Sequence, residues 1–172
     1  YELGITPIRE ALIVLESEGF LRSLARAGFV ITTVSPQDVN ETFHLRLLLE
    51  VEAIGLAVER IGALELQILE KNHKSEHELS LDTTTDHRLQ AYVLNKEFHL
   101  VIARASGNQR LARLVEQFID DMERILAVDP YTLDPQQHTD ILAALRKRDK
   151  TAAQEAMRVH LETTRQRIYV RY

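Results

Sequence analysis

Four polar side chains fall inside the apolar stripes of predicted helices: Asn95, His99, His138 and His160. Asn95 and His99 share a face with Leu94, Phe98 and Ile102. His138 leads the stripe Ile141, Leu142, Leu145, and His160 lies among Ala153, Ala156, Met157, Leu161 and Ile168. A buried imidazole without a partner is costly, so three on inward faces call for a common explanation. One metal ion held inside a helical bundle supplies it. Asn95 and His99 are four residues apart, so they project from one helix face one turn apart, close enough to grip a single ion. Three imidazoles and an amide oxygen leave one or two positions of an octahedral ion open. The donor set suits a divalent transition metal: zinc, nickel, manganese or iron. Asn95 brings no charge, so the site is more electropositive than a carboxylate would make it. The competing reading is that each histidine is an ordinary hydrogen-bonded core residue of a helical interaction module.

Arg46 borders the stripe of another predicted helix, beside Phe43 and Leu47, with Glu50 one turn on. It either forms an intrahelical pair with Glu50 or turns its guanidinium into the bundle, where it could clamp a carboxylate at two points. With an open metal position, the second arrangement makes a receptor for a small organic acid. His73 and His77 are also four apart, but Lys71, Asn72, Lys74, Ser75 and Glu76 surround them, so they are expected on a wet face. His44 and His87 have no partner by spacing and are read as surface residues.

The elements that must position these groups are nearly all helical. Thr6 can cap a first helix with Pro7 in its first position, Ile8, Leu12 and Leu15 form its stripe, and Gly19 ends it. Phe20-Leu21-Arg22 and Gly28-Phe29-Val30-Ile31-Thr32 read as two short strands. Ser35-Pro36-Gln37-Asp38 marks a boundary and starts a helix running to about Arg60, with the stripe Val39, Phe43, Leu47, Val51, Ile54, Val58, Ile61. Five further helices are predicted over 63–80, 86–106, 108–128, 135–148 and 150–169. Breaks fall at Gly62, at 82–86, at Ser106-Gly107-Asn108, at 129–135 and at Asp149. The chain is therefore expected to be all-α: a small helix-plus-hairpin unit over 1–34, then an antiparallel bundle of about six helices over 35–172.

Bulk properties narrow the function classes. Among 172 residues, 45% are apolar and 27% charged, as in ordinary globular proteins. No run is long and apolar enough for a membrane span, and no secretion signal opens the chain. With no cysteine, disulfides and thiolate metal sites are excluded, which fits the cytoplasm. A net charge of −5 argues against a broadly basic nucleic-acid surface while permitting a small contact patch. A metal-dependent hydrolase-like enzyme is the rival reading, since three histidines and an open position could activate water. Against it, spacing places no Glu or Asp as general base, and the first 34 residues would have no role.

Glu2-Leu3-Gly4-Ile5-Thr6-Pro7-Ile8-Arg9-Glu10-Ala11-Leu12, then Leu15-Glu16-Ser17-Glu18-Gly19-Phe20-Leu21, resembles the recognition-helix region of GntR-type bacterial transcription regulators. Gly28-Phe29-Val30 looks like the wing that follows. Ser35-Pro36-Gln37-Asp38 and Arg46-Leu47-Leu48-Leu49-Glu50 resemble the start of the effector domain of the FadR subfamily, the FCD type. That domain's metal pattern is D-x3-H, then a His near the start of a later helix, then a His in the last helix. Asn95, His99, His138 and His160 match it in order, with Asn where Asp is usual, and Ala105-Ser106-Gly107-Asn108 matches a common segment. The resemblance implies a partial winged helix-turn-helix over 1–34, with Thr6, Arg9, Arg26 and Gly28 meeting DNA. It implies an effector site that includes Arg46 and Asn108, and a homodimeric repressor on a pseudo-palindromic operator. Two departures stand out. The Ser-Arg pair usual between Ile5 and Thr6 is absent, and the helices that normally precede this segment are expected before Tyr1 in a longer natural chain. Residues 1–35 carry three basic against four acidic side chains, so their own charge adds little to phosphate affinity.

Overall fold

The computed structural model describes residues 4–80, 85–128, 136 and 138–170. They form α1 (Ile5–Ser17), β1 (Leu21–Leu24), β2 (Gly28–Ile31), α2 (Pro36–Arg60), α3 (Ala63–Ser80), α4 (Thr85–Ala105), α5 (Gln109–Val128), α6 (His138–Lys147) and α7 (Lys150–Tyr169). Of the expected break at 82–86, residues 82–84 lie outside the described residues while Thr85 and Asp86 already belong to α4, and the break at 129–135 lies outside them entirely. The chain divides into two compact units, Tyr1–Ser35 and Pro36–Tyr172.

In the first unit α1 begins at Ile5, before the expected cap at Thr6. Gly4 is the N-cap, extended and without a side-chain cap, and Pro7 sits within the first turn. A proline is tolerated there because the first four amide groups of a helix have no intrahelical acceptor. Gly19 follows the helix at φ 80°, and the Phe20 amide closes back on the Leu15 carbonyl at 2.9 Å. The strands pair antiparallel, with Leu21 opposite Ile31 and Leu24 opposite Gly28. Strand β1 is shifted from its expected start at Phe20. At the hairpin tip Arg26 has φ 65° and Gly28 φ 100°, so the turn places one non-glycine residue in the left-handed region. No residue of α1 is buried within the described residues.

The second unit is the six-helix bundle. Helix α2 packs along α7 and α5, α3 lies on α4, and α6 lies on α7. The α2 stripe is buried at Val39, Phe43, Val51, Ile54 and Val58, as is Ile61 just beyond the helix, and Phe98, Ile102, Leu145, Met157 and Leu161 are buried on other helices of the same unit. Asn108 caps α5, its Oδ1 accepting from the Arg110 and Leu111 amides, and Asp149 caps α7 through the Ala152 amide at 3.0 Å. Among the described residues no helix is long and apolar enough to cross a membrane.

Arg148 shows how these elements are fastened. It has φ 55° where a helix end usually carries glycine, and the Asp149 amide bonds back to the Ala144 carbonyl. The guanidinium explains the exception: its two Nη groups donate to the Val58 and Ile61 carbonyls, each at 2.6 Å, at the C-terminal end of α2. Arg148→Ala should therefore cost about 1–2 kcal/mol, because charged donors are lost from orphan carbonyls at a partly wet site. Arg148→Gly should cost less, since glycine relieves the backbone. Urea unfolding of the two variants checks the order, and equal losses would refute it.

Candidate metal centre

Helix α4 supplies Asn95 and His99, α6 supplies His138 at its first residue, and α7 supplies His160. The three histidines are 1%, 0% and 6% exposed, and Asn95 is half-buried. One ligand-competent nitrogen from each imidazole lies within 4.8 Å of the other two. His99 Nε2 and His160 Nε2 are 3.2 Å apart, and Asn95 Nδ2 is 3.4 Å from His138 Nε2. For donors about 2.1 Å from an ion, neighbouring ligand atoms stand roughly 3.0 Å apart at a right angle and roughly 3.4 Å apart at a tetrahedral angle. The spacings fit one shared cation. Asn95 Nδ2 also donates to Glu76 Oε1 at 3.3 Å, so presenting Oδ1 to an ion means turning the amide over and giving up that bond.

The far side of two rings is held by acids. His99 Nδ1 donates to Glu50 Oε2 at 2.5 Å, and His138 Nδ1 donates to Glu76 Oε2 at 3.0 Å. A carboxylate only accepts, so each Nδ1 must carry the proton and each Nε2 must present a lone pair to the centre. Phe98 stacks on His138 with ring centroids 4.0 Å apart and planes 6° apart, fixing that ring against rotation. Burial pushes His99 and His160 below the usual histidine range; the pull of Glu50 on His99 is too weak to reverse this, and the neighbouring imidazoles push His160 further down. Both rings are therefore neutral, as metal ligation requires.

Arg46 realises both sequence readings at once. Its Nε donates to Glu50 Oε1 at 2.6 Å, and the side chain is buried, 5% exposed, with its guanidinium carbon 5.4 Å from the Phe43 ring centre. Burial pushes Glu50 up, but Arg46 and His99 beside it outweigh burial and hold its carboxyl at about 2. Within the described residues the Nε–Glu50 bond is the hydrogen bond Arg46 makes, which leaves its Nη groups for another acceptor.

The sequence reading missed Glu76 and half of Glu50's role. Glu76 is 1% exposed and Asn72 is buried on α3, so the wet face expected for His73 and His77 does not extend to these two neighbours. His73 is half-buried, its Nε2 3.3 Å from Thr139 Oγ1, while His77 is exposed as expected. The available signal was the spacing Leu69, Asn72, Glu76, which continues an inward stripe in polar residues. Asn108 is not brought to the centre. The end of α4 at Ala105 is already roughly 9 Å along the axis from His99 at about 1.5 Å per residue, and Asn108 lies past it, exposed and capping α5. In the first unit, Thr6 and Arg9 stand one turn apart on the exposed face of α1, and Arg26 and Gly28 are exposed at the hairpin tip.

Residues 41–163 match the FCD domain family, which is most of the chain and all of the candidate centre. The chain belongs to the GntR-type transcription regulators that carry an FCD domain. This FCD regulator is 31% identical over 161 residues to the uncharacterized HTH-type transcriptional regulator YdhC of Bacillus subtilis, covering 90% of this chain and 70% of that one. It is 28% identical to the HTH-type transcriptional repressor GlaR of Escherichia coli, over 95% of this chain and 79% of that protein. Among solved structures, E. coli McbR/YncC matches with a TM-score of 0.83 at 25% identity, covering 100% of this chain and 88% of that one. A GntR-family regulator from Pseudomonas syringae matches with a TM-score of 0.69 at 28% identity, over 98% and 72%. The relatives of this chain are transcription regulators rather than enzymes.

Proposed function

We propose that this FCD regulator, of the FadR subfamily, is a cytoplasmic, homodimeric repressor whose helical unit holds a divalent transition metal and senses a small organic acid. The observation that carries the proposal is the convergence of three buried imidazoles, two of them locked by buried carboxylates, on one point beside Arg46. His99, His138 and His160 would hold the ion, with Asn95 Oδ1 as a further donor. When bound, the ion supplies a Lewis-acid point for the effector's oxygen.

Arg46 does the orienting. Its Nη groups would receive the carboxylate in two-point fashion, while Glu50 holds the guanidinium over the Phe43 ring. Asn108, exposed and beyond the end of α4, would act only from outside this pocket. Residues 1–34 would read the operator, with Thr6 and Arg9 entering the major groove and Arg26 and Gly28 approaching from the wing. Two-fold symmetry of the homodimer would then match a pseudo-palindromic site.

Regulation requires the acid to bind one arrangement of the helices better than the other. An operator selected from random DNA, followed by fluorescence anisotropy, tests this. In zinc-loaded protein, small hydroxy acids should change the operator Kd at least about fivefold, the lower end of ordinary allosteric coupling. In chelator-treated protein they should leave it unchanged. Identical acid responses with and without metal would end the proposal.

A further inference from the structure

We propose that Asn95 sets the charge of the ligand this centre accepts, and that the fitting ligand is a monoanionic carboxylate. The inference rests on the metal reading above and concerns what the buried charges around the ion add up to.

Among the described residues, the buried ionic side chains at the centre are Arg46, Glu50 and Glu76. Arg46 is paired with Glu50, and Glu50 and Glu76 each accept a proton-bearing Nδ1 from a histidine. Glu76 Oε1 also lies 3.3 Å from Asn95 Nδ2. One cation and two carboxylates leave the protein part at −1; imidazoles that ligate a metal are neutral, so they and Asn95 add nothing. A divalent ion brings the buried set to +1. Arg167 also acts on His160, but its side chain is exposed and largely screened by water. An enclosed excess of one positive charge is costly unless an anion closes it. One carboxylate at the open metal position, held by the Arg46 Nη groups, brings the set to zero. An uncharged isostere leaves the excess in place.

Replacing Asn95 by aspartate moves the side-chain sum to −2, and a divalent ion then neutralises the centre without any ligand. Asn95→Asp should therefore shift two affinities in opposite directions: zinc binds tighter and a monoanion binds weaker. A merely damaged fold would weaken both. There is a third signature. An aspartate beside Glu76 sets two acids within about 3.3 Å of each other, so the variant should melt below wild type when chelated and recover on zinc addition.

Isothermal titration calorimetry of the full chain supplies the test, with zinc chloride first and then glycolate or glycolamide into the loaded protein. The expected result is at least a tenfold gain in zinc affinity for Asn95→Asp and at least a tenfold loss in glycolate affinity. Glycolamide should bind wild type at least tenfold more weakly than glycolate. Glycolate binding equally well to loaded wild type and Asn95→Asp, or not binding wild type at all, overturns this inference while leaving the metal reading intact. Failure of wild type to take up zinc overturns both, and is seen before any acid is added.

Discussion

His99→Ala should abolish the metal response of the protein. Wild type purified without a chelator should carry about one transition-metal ion per chain, and the variant less than about a tenth of that. Losing a ligand removes more than losing a partner behind one, and the latter already costs about 10–100-fold in metal affinity. The same contrast should appear in melting. A ligand that binds only the folded state at a thousandfold excess over its Kd stabilises by about 4 kcal/mol, which for a chain of this size corresponds to a shift on the order of 10 °C. Added zinc should raise the melting temperature of wild type by that order and leave His99→Ala where it was. His77→Ala, altering an exposed histidine on α3, should respond like wild type. If His99→Ala keeps its metal and its shift, the three imidazoles are core packing and the centre is not a metal site.

Glu50→Ala should be the most destabilising single change in the bundle. Glu50 accepts from Arg46 on one oxygen and from His99 on the other, and it is 2% exposed. Its removal leaves a buried guanidinium without its counter-charge and an imidazole N–H without its acceptor. Breaking a buried pair from one side costs about 3–5 kcal/mol, because the remaining charge is uncompensated. Glu50→Gln should lose less, since an amide oxygen still accepts one of the two bonds. The double variant Arg46→Met with Glu50→Leu should recover most of the loss, as buried pairs replaced by apolar groups of similar volume often do. That recovery would separate the cost of an orphaned charge from the cost of a cavity. Urea unfolding measures all three. A loss below about 1 kcal/mol for Glu50→Ala would mean that water reaches Arg46 freely, contrary to its burial.

How much of this was legible beforehand depended on contrast. Helices α2, α5 and α7 carry apolar stripes against polar faces, so their ends could be read to within about a residue; α7 was expected over 150–169 and spans Lys150–Tyr169. The histidines were visible for the same reason, as polar residues standing where an apolar stripe requires something else. Glu76 was invisible because α3 changes character midway. After Leu69 its inward stripe continues as Asn72 and Glu76, so neither face looks different from the other. Glu50 was seen as the residue one turn from Arg46, which is local, but not as the acceptor for His99, which is 49 positions away. Sequence periodicity reports which way a side chain faces; it does not report what it meets across the bundle. Asn108 is a separate case. An asparagine after Ser-Gly is suited to a helix start, and its oxygen is engaged there on two amide groups of α5.

The histidine–carboxylate pairs join α2 to α4 and α3 to α6, across 49 and 62 residues of chain, and the two facing imidazoles join α4 to α7 across 61. None of these contacts exists in a chain whose helices have formed but not yet docked. A bound ion would therefore not seed the bundle; its ligands come from α4, α6 and α7, and those helices must already be docked before there is anywhere for it to sit. It would act as a latch on a finished structure, slowing the chain's exit from the native state while leaving the search for that state to hydrophobic docking alone.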